Sequence, residues 1–127
     1  MKDSVLLNVN ARTLFGVMKQ SVIRETGQKH PRLAPGLSWK RVSGTRKTKV
    51  TLTQWKEPFL YGACFESGSV VLNVRYELEP KGADQVLVTY THDLGKSDWL
   101  TRRKEKAAVK KAISLLKNVE TMIQQGQ

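Results

Sequence analysis

The last thirty residues constrain this chain more than any other stretch. Val109, Ala112, Ile113, Leu116, Val119 and Ile123 recur at helical spacing, and Ala108, Leu115 and Met122 widen the stripe. Arg103, Lys110 and Lys117 repeat every seven residues on another side. Ser97 or Asp98 caps this helix, which runs to about Gln125. Burying about six large apolar side chains is worth on the order of 10–15 kcal/mol gross, before chain entropy is subtracted. A helix so apolar along one side needs a broad apolar partner.

The middle of the chain supplies one. Leu37 to Val42, Thr48 to Lys56, Phe59 to Glu66, Ser69 to Glu79 and Asp84 to His92 read as strands, separated by polar turns. The clearest alternates Val70, Leu72, Val74, Tyr76 and Leu78 against Ser69, Val71, Asn73, Arg75, Glu77 and Glu79, and only Val71 breaks the pattern. Short turns between such runs predict an antiparallel meander with one wet face. Ahead of it, Ser4 to Val9 reads as a strand and Ala11 to about Thr26 as a helix. Asn10 is placed to cap that helix and Gly27 to end it in a left-handed conformation. The order is strand, helix, five strands, long helix. It predicts a single α+β domain over residues 1–127, with an antiparallel sheet of about six strands whose dry face meets the last helix.

Composition excludes several classes. Hydrophobic residues at 39% and charged residues at 26% argue against disorder. No apolar run reaches the roughly 18–20 residues of a membrane span, and the first residues lack the pattern of a signal peptide. Cys64 is the one cysteine, so no internal disulfide forms, and a cytoplasmic location is expected. The net charge of +11 favours polyanionic partners. Between Thr26 and Lys56 there are eight basic residues and no acidic one.

Local wording carries a resemblance. The segments LLNVNARTLFGVM, LTQWKEPFLYGACFES and VRYELEPKGADQVLVTYTHD resemble the opening strand and helix, a strand–Glu-Pro–strand turn and the penultimate hairpin of the START-like helix-grip superfamily, the SRPBCC or birch-pollen-allergen group. More closely, the GLSWK and YELEP…VTY series and the Lys/Arg-rich last helix resemble an uncharacterised domain family of Gram-positive bacteria within it. The resemblance spans nearly the whole chain and implies a curved antiparallel sheet wrapped around the long last helix, with a cavity between them. It brings no catalytic residues and no cofactor with it. The short link before the last helix bears on how large that cavity is.

The expected function is therefore a non-enzymatic binder of a small apolar or amphipathic molecule. Val50, Leu52, Phe65, Val74 and Val88 are expected as cavity walls. Tyr61, Tyr76 and Tyr90 are expected as polar anchors, because a buried phenol needs a hydrogen-bond partner. Ile113 and Leu116 are expected to close the pocket. The alternative is polyanion binding, of nucleic acid above all, or a protein-interaction surface. It would use Lys40, Arg41, Arg46, Lys47 and Lys49 with Trp39 and Trp55 between them, and Arg102, Arg103 and Lys104 on the last helix. Catalytic pairs are weaker. Glu77 and Glu79 share a face that also carries Arg75 and Asn73, which reads as water-facing, and Cys64 and His92 are expected on different faces. His30, His92 and Cys64 have no metal-ligand spacing.

Overall fold

The computed structural model describes residues 1–94 and 99–126, and the side chains of 99–102 fall outside that description. Six strands form one antiparallel sheet: β1 (Lys2–Leu7), β2 (Ser38–Ser43), β3 (Arg46–Lys56), β4 (Leu60–Ser67), β5 (Val70–Pro80) and β6 (Val86–Asp93). Their spatial order is β1-β6-β5-β4-β3-β2, so β2 to β6 form a meander and β1 closes it on the β6 side. Helix α1 (Ala11–Thr26) follows β1, and α2 (Trp99–Gln125) ends the fold. This is the helix-grip arrangement. The expected caps Ser97 and Asp98 and the side chain of Arg102 lie outside the described residues.

Local chemistry explains the elements. The Asn10 side-chain oxygen accepts the backbone N–H groups of Arg12 and Thr13, and Gly27 adopts φ 73° at the other end of α1. Both helix ends are thus satisfied by residues suited to them. The first strand lies two residues earlier than its alternation suggested. Val9 nevertheless stays buried, because the bend after Leu7 turns it toward the core.

The inner face of the sheet carries the core. Leu7, Val50, Leu52, Ala63, Leu78, Val86 and Val88 are buried there, with Leu14 and Phe15 from α1 and Val109, Ala112, Leu116 and Ile123 from α2. Helix α2 packs against β1 and β6 and touches α1. Its C-terminal end is pinned by the Gln124 side-chain amide, which donates to the Asn8 carbonyl at 3.0 Å. Leu115 and Met122 do not widen the buried stripe as expected. Each is 54% exposed, because α2 lies over β1 and β6 and leaves the flank that carries them uncovered.

One irregularity sets the geometry of the middle of the sheet. The β3–β4 register shifts between Leu52 and Gln54, so one extra residue is accommodated in β3. The parity of β3 changes there, and Trp55 joins Val50 and Leu52 on the inner face. Gly62 lies opposite the bulge. A Cβ on it would stand 2.9 Å from Thr53 Oγ1 and 3.1 Å from Gln54 Cβ. Gly62→Ala is therefore expected to destabilise the fold by about 1–3 kcal/mol, read as a lower urea midpoint with unchanged slope. An unchanged midpoint would show that the bulge has room to relax.

Candidate functional site

Across the inner face, Trp55, Tyr61, Tyr76 and Tyr90 stand directly opposite one another from strand to strand. Ring centroids are 5.7 Å apart for Trp55–Tyr61, 5.7 Å for Tyr61–Tyr76 and 4.9 Å for Tyr76–Tyr90. Phe15 of α1 stands edge-on to Trp55 at 5.1 Å, and His92 follows Tyr90 at 5.9 Å. Tilted aromatic contacts of this kind add about 0.5–1.5 kcal/mol each beyond area burial. Burial pushes the pKa of each of the three tyrosines upward, so all three phenols are neutral at pH 7.

Two clefts flank this row and share Tyr61, Tyr76 and Leu115. The smaller, about 200 Å³, lies between the helices and is lined by Val17, Met18, Val22, Glu25 and Val119 among others. The larger, about 500 Å³, opens toward the hairpin turns. Phe65, Leu72, Val74, Tyr90 and Leu115 make its apolar wall, and Arg41, Arg46, Thr48 and Ser67 its polar end. Helix α2 leaves this part of the inner face uncovered because it lies over β1 and β6. Of the expected wall residues, Phe65 and Val74 line the larger cleft and Leu116 the smaller. Val50, Leu52 and Val88 do not reach either one. They are 0–1% exposed and belong to the solid core under α1 and α2. Ile113 packs against the same core and also lines neither cleft.

Two polar groups frame the row. At one side, Trp39 Nε1 donates to Glu25 Oε1 at 3.0 Å, and Arg41 Nε and Nη2 donate to the same carboxylate at 2.8 and 2.9 Å. Arg41 also stacks over Phe65, 5.1 Å from its ring centroid. Burial acts to raise the pKa of Glu25. The hydrogen bonds from Arg41 and Trp39 and the charge of Arg41 outweigh it together, so the net shift is downward. At the other side, Tyr90 Oη and His92 Nδ1 share a hydrogen bond of 2.8 Å. Burial lowers the pKa of His92 and the Met1 ammonium adds to this, while Glu105 and Asp93 oppose it, so the imidazole is neutral at pH 7. Glu105 is only 7% exposed and lies 3.8 Å from the Met1 ammonium. The helical pattern gave no sign of a buried acid there, since Glu105 sits one turn before the first apolar position of the stripe.

The basic residues proposed for polyanion binding do not form one patch. In the β2–β3 hairpin, Lys40 pairs with Lys49, Arg41 with Thr48 and Ser43 with Arg46. Alternation then puts Arg41 and Arg46 on the inner face and Lys40, Lys47 and Lys49 on the outer one. Trp39 is buried on Glu25, and Trp55 is held between Phe15 and Tyr61, so neither offers a free ring for base stacking. Arg103 and Lys104 are exposed near the start of α2. Cys64 stands on the outer face opposite Asn73 and His92 on the inner, so no nucleophile–base pair forms. Burial raises the pKa of the Cys64 thiol, with Glu66 adding to it. Glu77 and Glu79 are exposed and ion-paired with Arg75 and Lys81. Among the described residues, no helix is long and apolar enough to cross a membrane.

Comparison with known proteins agrees with this architecture. A family model described as Domain of unknown function (DUF3284) matches residues 1–111. No curated protein matches the chain in sequence. A START superfamily protein from Mycobacterium smegmatis superposes with TM-score 0.66 at 13% identity, covering 100% of this chain and 98% of that one. The Aha1 dimer from Colwellia psychrerythraea gives TM-score 0.60 at 14% identity, covering 94% and 95%. An HSP90 activator from Plasmodium falciparum gives 0.56 at 14% identity, covering 82% and 84%. These likenesses establish the fold.

The Glu25 cluster has a pH signature. Its folded pKa lies below the ordinary 4.5, so its stabilisation is present above that value and is lost as pH falls through the lowered one. Because both partners are partly exposed, Glu25→Gln is expected to cost only about 1 kcal/mol at neutral pH. The gap between wild type and variant should narrow as the pH is taken from neutral to below the ordinary 4.5. Urea midpoints at both pH values read it directly, and a gap that persists in acid would assign the effect to packing.

Proposed function

The chain belongs to the DUF3284 family, and we propose that it binds a small amphipathic molecule, without converting it, in the cleft between the sheet and α2. The observation that carries this reading is the larger cleft itself. Its volume of about 500 Å³ falls in the range of small-molecule sites, roughly 300–1,000 Å³. Its make-up fits as well: a mainly apolar wall with few polar groups gathered at one end. The aromatic row supports it further. Tyr61, Tyr76 and Tyr90 form a stiff floor whose rings are already held by one another, so little order must be gained when a ligand arrives.

The START superfamily protein among the similar structures favours a cavity as the working surface of this fold, by analogy alone. The HSP90 activator and the Aha1 dimer favour protein partners on the same grounds. The cleft residues of this chain weigh toward the first, because a flat partner surface would not reach Leu72, Val74 and Tyr76 on the floor.

Leu115 is the residue that tests the reading. It lines both clefts and is half exposed, so enlarging it fills the space without disturbing the core. The neutral probe N-phenyl-1-naphthylamine should bind saturably to the wild type with one site, read by its fluorescence. Leu115→Trp should weaken that binding by about tenfold or more with an unchanged thermal midpoint. A probe that fails to bind, or binds both proteins alike, would remove the cleft as the site.

A further inference from the structure

The charges around the larger cleft are unbalanced, and this constrains what fills it. Two arginines and no acidic residue line it. Arg41 is already committed: both oxygens of Glu25 receive its donors, and its face rests on Phe65. Arg46 is different. It stands on the same side of the hairpin as Thr48 and Val50, at the cleft's hairpin end, and is exposed. Among the described residues no carboxylate comes within ion-pair distance of it. Next to it, Thr48 and Ser67 bring hydroxyl groups to the same end. The Ser67 hydroxyl is oriented by donating to the Lys47 carbonyl at 3.4 Å. At the far end the wall is Leu72, Val74, Tyr76 and Leu115, with no charge at all.

We infer that the ligand is an acidic amphiphile, with an oxyanion head on Arg46 and Thr48 and an apolar body along Leu72, Val74 and Leu115. This rests on the binding reading above and narrows it. A guanidinium offers paired donors that match a carboxylate or phosphate, and it does so without losing its charge at any working pH. A cationic head would meet Arg46 and Arg41 and be repelled. A neutral head would leave Arg46 to water and gain nothing from it. The Glu25–Arg41 pair beside the site keeps Arg41 from competing, so a single head group is recognised. The apolar floor holds the body of the molecule by area burial, which is indifferent to the head.

The test uses four probes with the same twelve-carbon tail, each below its micelle concentration: dodecanoate, dodecyl phosphate, dodecanol and dodecyltrimethylammonium. Affinities come from calorimetry at pH 8 and low salt. The two acids should bind about tenfold tighter than the alcohol, and the ammonium weakest. The stronger of the two acids then tells which oxyanion the head is. Arg46→Gln should abolish the acids' preference over the alcohol. Lys47→Gln, next in the chain but on the outer face, should keep it. Acids that bind no tighter than the alcohol, or a preference that survives Arg46→Gln, would overturn the inference while leaving the cleft a binding site. Failure of all four probes to bind would overturn both together.

Discussion

Everything in this fold is arranged around a row of rings that runs across four strands. Trp55, Tyr61, Tyr76 and Tyr90 are opposed in register, so their rings meet side by side instead of interleaving with the helices. Aromatic side chains are tall and have few rotamers, and each here is braced by the next. Helix α1 abuts the row at Phe15 and α2 at Leu115 and Leu116, while aliphatic contacts seal the core beyond them. Because α2 rests on β1 and β6, space remains on the inner face toward the hairpin turns. A sheet with aliphatic residues in these positions would let the helix settle lower, and that space would close.

The row in turn depends on a detail of backbone geometry. Without the extra residue between Leu52 and Gln54, Trp55 would point to solvent and Gln54 to the core. The bulge corrects this, and Gly62 across from it provides the close approach that the crowded backbone requires. The same alternation in the β2–β3 hairpin separates the basic residues into an inner pair and an outer set. One face thereby acquires a guanidinium beside an apolar floor, and the other a set of lysines in water.

Much of this was legible in the residues. Helix α1 begins and ends where Asn10 and Gly27 predict, because capping chemistry is local and few residues satisfy it. The strand alternation placed Tyr76 and Tyr90 inward, as β5 and β6 show. What could not be read depends on contacts between distant segments. A bulge has no sequence mark beyond Gly62, so the inward turn of Trp55 was hidden. Leu115 and Met122 fit the stripe of α2, but how far a stripe is covered depends on where the helix lies on the sheet. Val50, Leu52 and Val88 share a face with the cleft residues, yet the helices sit over them, and facing alone does not tell a wall from a core. Glu105 shows the converse: its burial beside Met1 comes from β1 and α2 meeting, and no local pattern encodes it.

The central claim is that an apolar chain lies along the aromatic row under Leu115. Methyl-resolved NMR during a dodecanoate titration measures it most directly. Shifts should concentrate on Leu72, Val74 and Leu115, while the buried methyl groups of Val50, Leu52 and Val88 stay in place. Shifts that gather instead on Val42 and Val71, which lie on the outer face, would show that the molecule sits outside the cleft and that the row has only a structural role.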